Sequence, residues 1–106
     1  MKLESVGDVI ATRELDVISD RGEAQKVQVM MGRPRQLPDH TDYYCPYEIK
    51  GGGFRKVMYA CGVDAFQALQ LAMGTIGVEL DVLNKQFGGK LRWECDAAGG
   101  LGFPSL

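Results

Sequence analysis

Residues 64–89 read DAFQALQLAMGTIGVELDVLNKQFGG, and this stretch decides the fold. Asp64 is a helix N-cap residue, able to accept from a backbone N–H one turn on. Gly88 and Gly89 are stop signals, since glycine relieves the left-handed backbone that closes a helix. The spacing between them predicts a helix over residues 65–86. At about 100° per residue, Phe66, Leu69, Met73, Ile76, Leu80 and Leu83 fall within an arc of about 100°. That arc is the expected core face. Leu71, Val78 and Val82 form a second, narrower stripe on nearly the opposite side. A helix lying on one sheet needs only the first stripe, so the C-terminal segment or another chain is expected over the second. Gly74 and Gly77 each cost about 1 kcal/mol relative to alanine inside a helix. They fall on the polar side, where close approach by another backbone, from a partner or the chain's own tail, competes with simple local weakness as the explanation.

Upstream of the helix the period changes from 3.6 to two. In residues 10–18 (IATRELDVI), Ala11, Arg13, Leu15 and Val17 share one face. In residues 24–31 (AQKVQVMM), Val27, Val29 and Met31 do the same. Such alternation marks strands, and the turn residues Ser19, Asp20, Arg21 and Gly22 between them predict an antiparallel hairpin. Residues 32–39 (GRPRQLPD) carry two prolines and read as a loop. A third strand is expected over residues 43–49, at an edge or bulged near Pro46, because proline has no N–H to give a ladder. Gly51, Gly52 and Gly53 turn the chain into a fourth strand over residues 54–61.

After the helix, residues 90–95 suit a short fifth strand, and residues 97–100 a flexible turn. Trp93 is expected to dock over the second helix stripe, and residues 101–104 are too apolar for a free tail. The expected fold is α+β: a four-stranded antiparallel β-meander, one long helix packed on one face, and a short C-terminal extended segment. It is a single domain over residues 1–106, with residues 1–9 either flexible or a short first strand.

Several stretches together resemble a small bacterial domain family of unknown function. They are Gly32-Arg33-Pro34, Tyr43-Tyr44-Cys45-Pro46-Tyr47, Tyr59-Ala60-Cys61-Gly62-Val63-Asp64-Ala65-Phe66-Gln67-Ala68-Leu69, and Leu101-Gly102-Phe103-Pro104. The resemblance covers most of residues 10–104. It implies a stand-alone small domain and brings no activity, cofactor or site with it.

Composition narrows the function classes. Twelve basic against fourteen acidic residues leave a net charge of −2, too small to require a polyanionic or polycationic partner. Residues 1–10 (MKLESVGDVI) lack the apolar core of a secretory signal, and residues 65–83 are interrupted by Gln67, Gln70, Glu79 and Asp81, which excludes a membrane span. Cys45, Cys61 and Cys95 are odd in number and widely spaced, giving neither a disulfide framework nor a zinc pattern. A cytoplasmic location follows as the simplest expectation, with no metal and no cofactor.

Two clusters carry chemistry. His40, flanked by Asp39 and Asp42, lies five residues from Cys45, a spacing that permits a Cys–His nucleophile. Against that, free cysteine is among the most buried residue types. Arg33 and Arg35 with Tyr43, Tyr44 and Tyr47 form a basic–aromatic cluster. Such clusters stack and neutralise single-stranded nucleic acid, yet the isoelectric point of about 5.3 argues against a nucleic-acid domain. Arginine and tyrosine are also enriched at protein–protein hot spots. The leading expectation is therefore a non-enzymatic module that binds another protein, in one version immunity- or antitoxin-like, through Arg33, Arg35, Tyr44 and Tyr47. A single-stranded nucleic-acid-binding module is the alternative, a Cys45/His40 enzyme is a weaker one, and a homodimer is compatible with any of them.

Overall fold

The computed structural model describes residues 1–18, 24–94 and 100–104. The expected turn at residues 19–22, most of the one at 97–100, and Cys95 lie outside the described residues. The chain runs β1 (Val9–Ile18), β2 (Ala24–Gly32), β3 (Arg35–Gln36), β4 (Tyr43–Gly51), β5 (Phe54–Gly62), α1 (Ala65–Gln86) and β6 (Leu91–Arg92). The fold is α+β, with one helix on one face of an antiparallel sheet.

Among the described residues the sheet has six strands, not the expected four. The two beyond the meander are short: β6 falls within residues 90–95, where a short strand is expected, and β3 is new. β6 pairs the far edge of β1, with Val17 opposite Leu91. β3 arises because the chain resumes pairing after Pro34, so residues 32–39 are not wholly a loop. β2 pairs β4 through Met31 and Tyr47, and β3 pairs the same edge of β4 through Arg35 and Tyr44. Gly32, Arg33 and Pro34 thus stand opposite Cys45 and Pro46, which is a bulge. This resolves Pro46: β4 is a central strand, flanked by β2 and β3 on one edge and by β5 along the other. A proline is tolerated there because the facing ladder is interrupted at that point.

Residues before β1 form no strand, yet they are fastened. The Asp8 carbonyl accepts from Arg33 N–H at 2.9 Å, and the Glu4 carbonyl accepts from the Arg55 guanidinium at 3.0 Å. Val6 is buried between them, with its carbonyl over Gly32, where a Cβ would stand 2.3 Å from it.

The core lies between the sheet and α1. It contains Leu15, Val17, Val27, Val29, Cys45, Tyr47 and Ile49 from the strands, and Ala68, Ala72, Ile76, Leu80 and Leu83 from the helix. Asp64 caps the helix as expected, its side chain accepting from Gln67 N–H. The buried arc is rotated from the expected one. Ala68 and Ala72 lie at its centre of approach, whereas Phe66 is 77% exposed. Small residues let α1 descend closely onto β4 and β5, with Ala68 against Gly62. That turns Phe66 out.

The second stripe is not covered as expected. Val78 and Val82 are 64% and 54% exposed. Residues 101–104 pass instead over the glycine side of the helix, where the Phe103 Cβ would stand 3.3 Å from a Cβ on Gly77. Close approach by the chain's own tail therefore accounts for Gly77. Trp93 also avoids the stripe. It stacks on the Arg13 guanidinium of β1 at 4.0 Å, with Phe103 on the same cation at 4.7 Å. The tail leaves a mainly apolar cavity of about 160 Å³ between β1, β2 and α1, floored by Val29, Met31 and Ile76.

Candidate interaction surface

The bulge that accommodates Pro46 also builds the candidate site. Beyond it, β3 sets Arg35 directly across from Tyr44 on the face of the sheet away from the helix. Arg33 and Arg35 each place a guanidinium nitrogen 3.4 Å from the same oxygen, Asp8 Oδ2. All three side chains are largely exposed, so this shared contact is worth little to stability. Its effect is orientation: one carboxylate holds two cations together at the surface. Tyr44 meets Tyr59 edge to face, ring centroids 6.0 Å apart. Tyr59 comes from β5, where it pairs with Pro46. The exposed Cys61 lies opposite Tyr44.

Of the expected contact residues, Arg33, Arg35 and Tyr44 come together here. Tyr47 does not and must be corrected: it is 1% exposed, on the helix face, in the core. Strand parity separates it from Tyr44. Burial, together with the Glu79 carboxylate beside its hydroxyl, holds the Tyr47 phenol far above its ordinary range. Glu79 is in turn bonded to Lys56 of β5, forming a polar seam under the helix. Tyr43 also turns toward the core.

Tyr59 and Asp8 were missed by sequence reasoning. The parity of residues 54–61 places Tyr59 on one face. Only the β4–β5 register reveals that this face is the one shared with Tyr44. Nothing in residues 1–9 marks Asp8 as the carboxylate between the arginines.

Cys45 and His40 occupy different environments. The Cys45 thiol is buried, 3.6 Å from the Gly32 carbonyl, and burial pushes its pKa up to about 11. A nucleophilic thiol requires the opposite shift. His40 is exposed in the β3–β4 connection, its N–H donating to the Leu37 carbonyl. Among the described residues, no group of three or more His, Cys, Asp or Glu side chains is placed to hold a metal ion. No described helix is long and apolar enough to cross a membrane.

Residues 11–105 match a family model described as "Domain of unknown function (DUF6968)". No curated protein and no solved structure matches the chain.

Proposed function

The chain belongs to this family, whose function is unknown, and we propose from its own surface that it is a non-enzymatic protein–protein interaction module. The observation that carries the reading is the grouping of Arg33, Arg35, Tyr44 and Tyr59 on one exposed face around the β3–β4 pairing. Arginine offers five N–H donors in a rigid fork, and here two guanidinia share one carboxylate. Donors therefore remain for an incoming acidic or carbonyl-bearing surface. The neighbouring tyrosines add apolar area with few rotamers to freeze. An immunity- or antitoxin-like role is one version of this reading, consistent with a small chain of mildly acidic charge. A Cys45/His40 enzyme has less support, because the thiol lies in the core while the imidazole lies in a surface connection.

Co-purification from the cell of origin tests the reading. The wild-type chain should retain a specific protein, and Arg33→Glu with Arg35→Glu should release it, while the remote Lys85→Glu should not. Retention unaffected by the double charge reversal defeats the proposed face. If retention on an oligonucleotide falls with salt and no protein is retained, the nucleic-acid alternative replaces it.

A further inference from the structure

β5 is the long free edge of the sheet. It pairs β4 over residues 54–62, and among the described residues no strand takes its other side. Free edges are usually blunted by proline, bulges or inward charges. β5 has no proline and its β4 register is unbroken; its one inward charge, Lys56, is already taken by Glu79, and Arg55 stands next to it near one end. The shoulder of α1 above this edge carries Leu71, Thr75, Val78 and Val82. Val78 and Val82 line a groove of about 240 Å³ with Phe54 and Lys56. The described tail lies on the other side of the helix, so the stripe that lacks cover is the one facing the open edge.

We propose that the occupant of this edge is a second copy of the chain, joined β5 to β5 about a twofold axis, with the two α1 shoulders in contact. Three properties favour self-association. The stripe spacing is 71, 75, 78, 82: steps of four, three and four, which read the same in reverse. An antiparallel copy therefore brings Leu71 opposite Val82 and Thr75 opposite Val78, each contact occurring twice, as an isologous interface requires. Thr75 does not oppose this, because its hydroxyl is already donated to the Leu71 carbonyl at 2.8 Å.

The strands agree with the helices. α1 runs back along β5, with Ala68 near Gly62, Glu79 on Lys56 and Phe87 near Gly52. The midpoint of the stripe therefore lies above Val57 and Met58. A twofold axis there, through either residue, sets Arg55 and Lys56 of one copy across from residues 58–61 of the other, whereas parallel pairing would stack them on their own copies.

The separation also fits. α1 lies over the β4–β5 pair, about half a strand spacing inside the edge. Adding one strand spacing of about 4.8 Å between copies puts the helix axes about 10 Å apart, within the usual packing range of about 8–10 Å. Two strand steps of twist, about −20 to −25° each, cross the helices at about −40 to −50°. That is the class in which i, i+4 rows interlock, and 71–75 and 78–82 are such rows.

Sedimentation equilibrium at micromolar and higher concentrations decides the matter. The wild-type chain should show twice the monomer mass, and Val78→Glu with Val82→Glu should show the monomer mass with an unchanged circular-dichroism spectrum. A wild-type monomer at every concentration, or a folded double variant that still dimerises, overturns the proposal. Should the double variant fail to fold, hydrogen exchange of the wild type decides. β5 amides protected more at high than at low concentration support the interface, and concentration-independent exchange there refutes it. Arg33→Glu with Arg35→Glu should dimerise normally, so this result stands apart from the partner-binding test.

Discussion

Cys45 and Gly32 face one another across the bulge, and each has a measurable consequence. With the folded Cys45 thiol raised to about 11 from an ordinary 9.0, both folded and unfolded thiols are neutral below pH 9. Between pH 9 and 11 only the unfolded thiol ionises. Its contribution to stability is therefore intact below pH 9 and declines above it, by up to about 1.4 kcal/mol per pH unit. Urea unfolding of the wild type against Cys45→Ala should show a stability difference that is constant below pH 9 and falls only in that window. At neutral pH, site-mapped alkylation should modify Cys61 and spare Cys45. Gly32 is fixed by space: an added Cβ would meet the Val6 carbonyl at 2.3 Å and the Pro46 ring at 2.7 Å. Gly32→Ala should cost about 1–3 kcal/mol, the usual price of overpacking, and should speed proteolysis of residues 1–7 if the N-terminal segment is what yields. Residues of this kind were only half legible in the sequence. Alternation places Tyr43, Cys45 and Tyr47 on one face and Tyr44 on the other. Tyr44 and Tyr47 therefore cannot share a surface, and it is the helix, by covering the Tyr47 face, that puts Tyr47 in the core.

Elements were more legible than their contacts. The bounds of α1, Ala65–Gln86, follow from Asp64 and the glycine pair because caps act locally. The long strands follow from their period of two. The facing of the helix does not, since it depends on how near two alanines bring it to β5, a tertiary matter. β3 escaped because a two-residue strand has no period to read, whereas β6 lies within residues 90–95, where a short strand is expected. Gly77 shows the local and tertiary contributions opposing each other. Alanine there should favour the helix by about 1 kcal/mol, but its Cβ presses on Phe103 at 3.3 Å. In Gly77→Ala alone the gain should be largely cancelled. In a Phe103→Gly background, which removes the obstructing Cβ, the same substitution should stabilise by nearly the full amount. Equal effects in the two backgrounds, measured by thermal or urea unfolding, would show that the tail does not press on the helix.

At the scale of the molecule, residues 4–8 and 101–104 are both bound to the fold, and they divide the two faces of the sheet. Residues 4–8 cross the outer face through Val6 and the carbonyls of Glu4 and Asp8. Residues 101–104 cross the helix side, where α1 leans over β4 and β5 and leaves β1 and β2 less covered. What holds the second crossing is Arg13. Its guanidinium lies between the Trp93 and Phe103 rings and donates to the Leu101 carbonyl at 3.3 Å, joining the first strand to the last described residues. Cation–π contacts contribute about 0.5–1 kcal/mol each when exposed and more when desolvated. Arg13→Ala should thus lower stability by about 1–2 kcal/mol and raise hydrogen exchange in residues 93 and 101–103, leaving the β4–β5 ladder protected as before. Arg13→Lys should recover part of the loss, since the charge is kept while the planar stacking is not. If Arg13→Ala leaves tail exchange unchanged, the tail is held by Leu101 in the core alone and the cation is incidental.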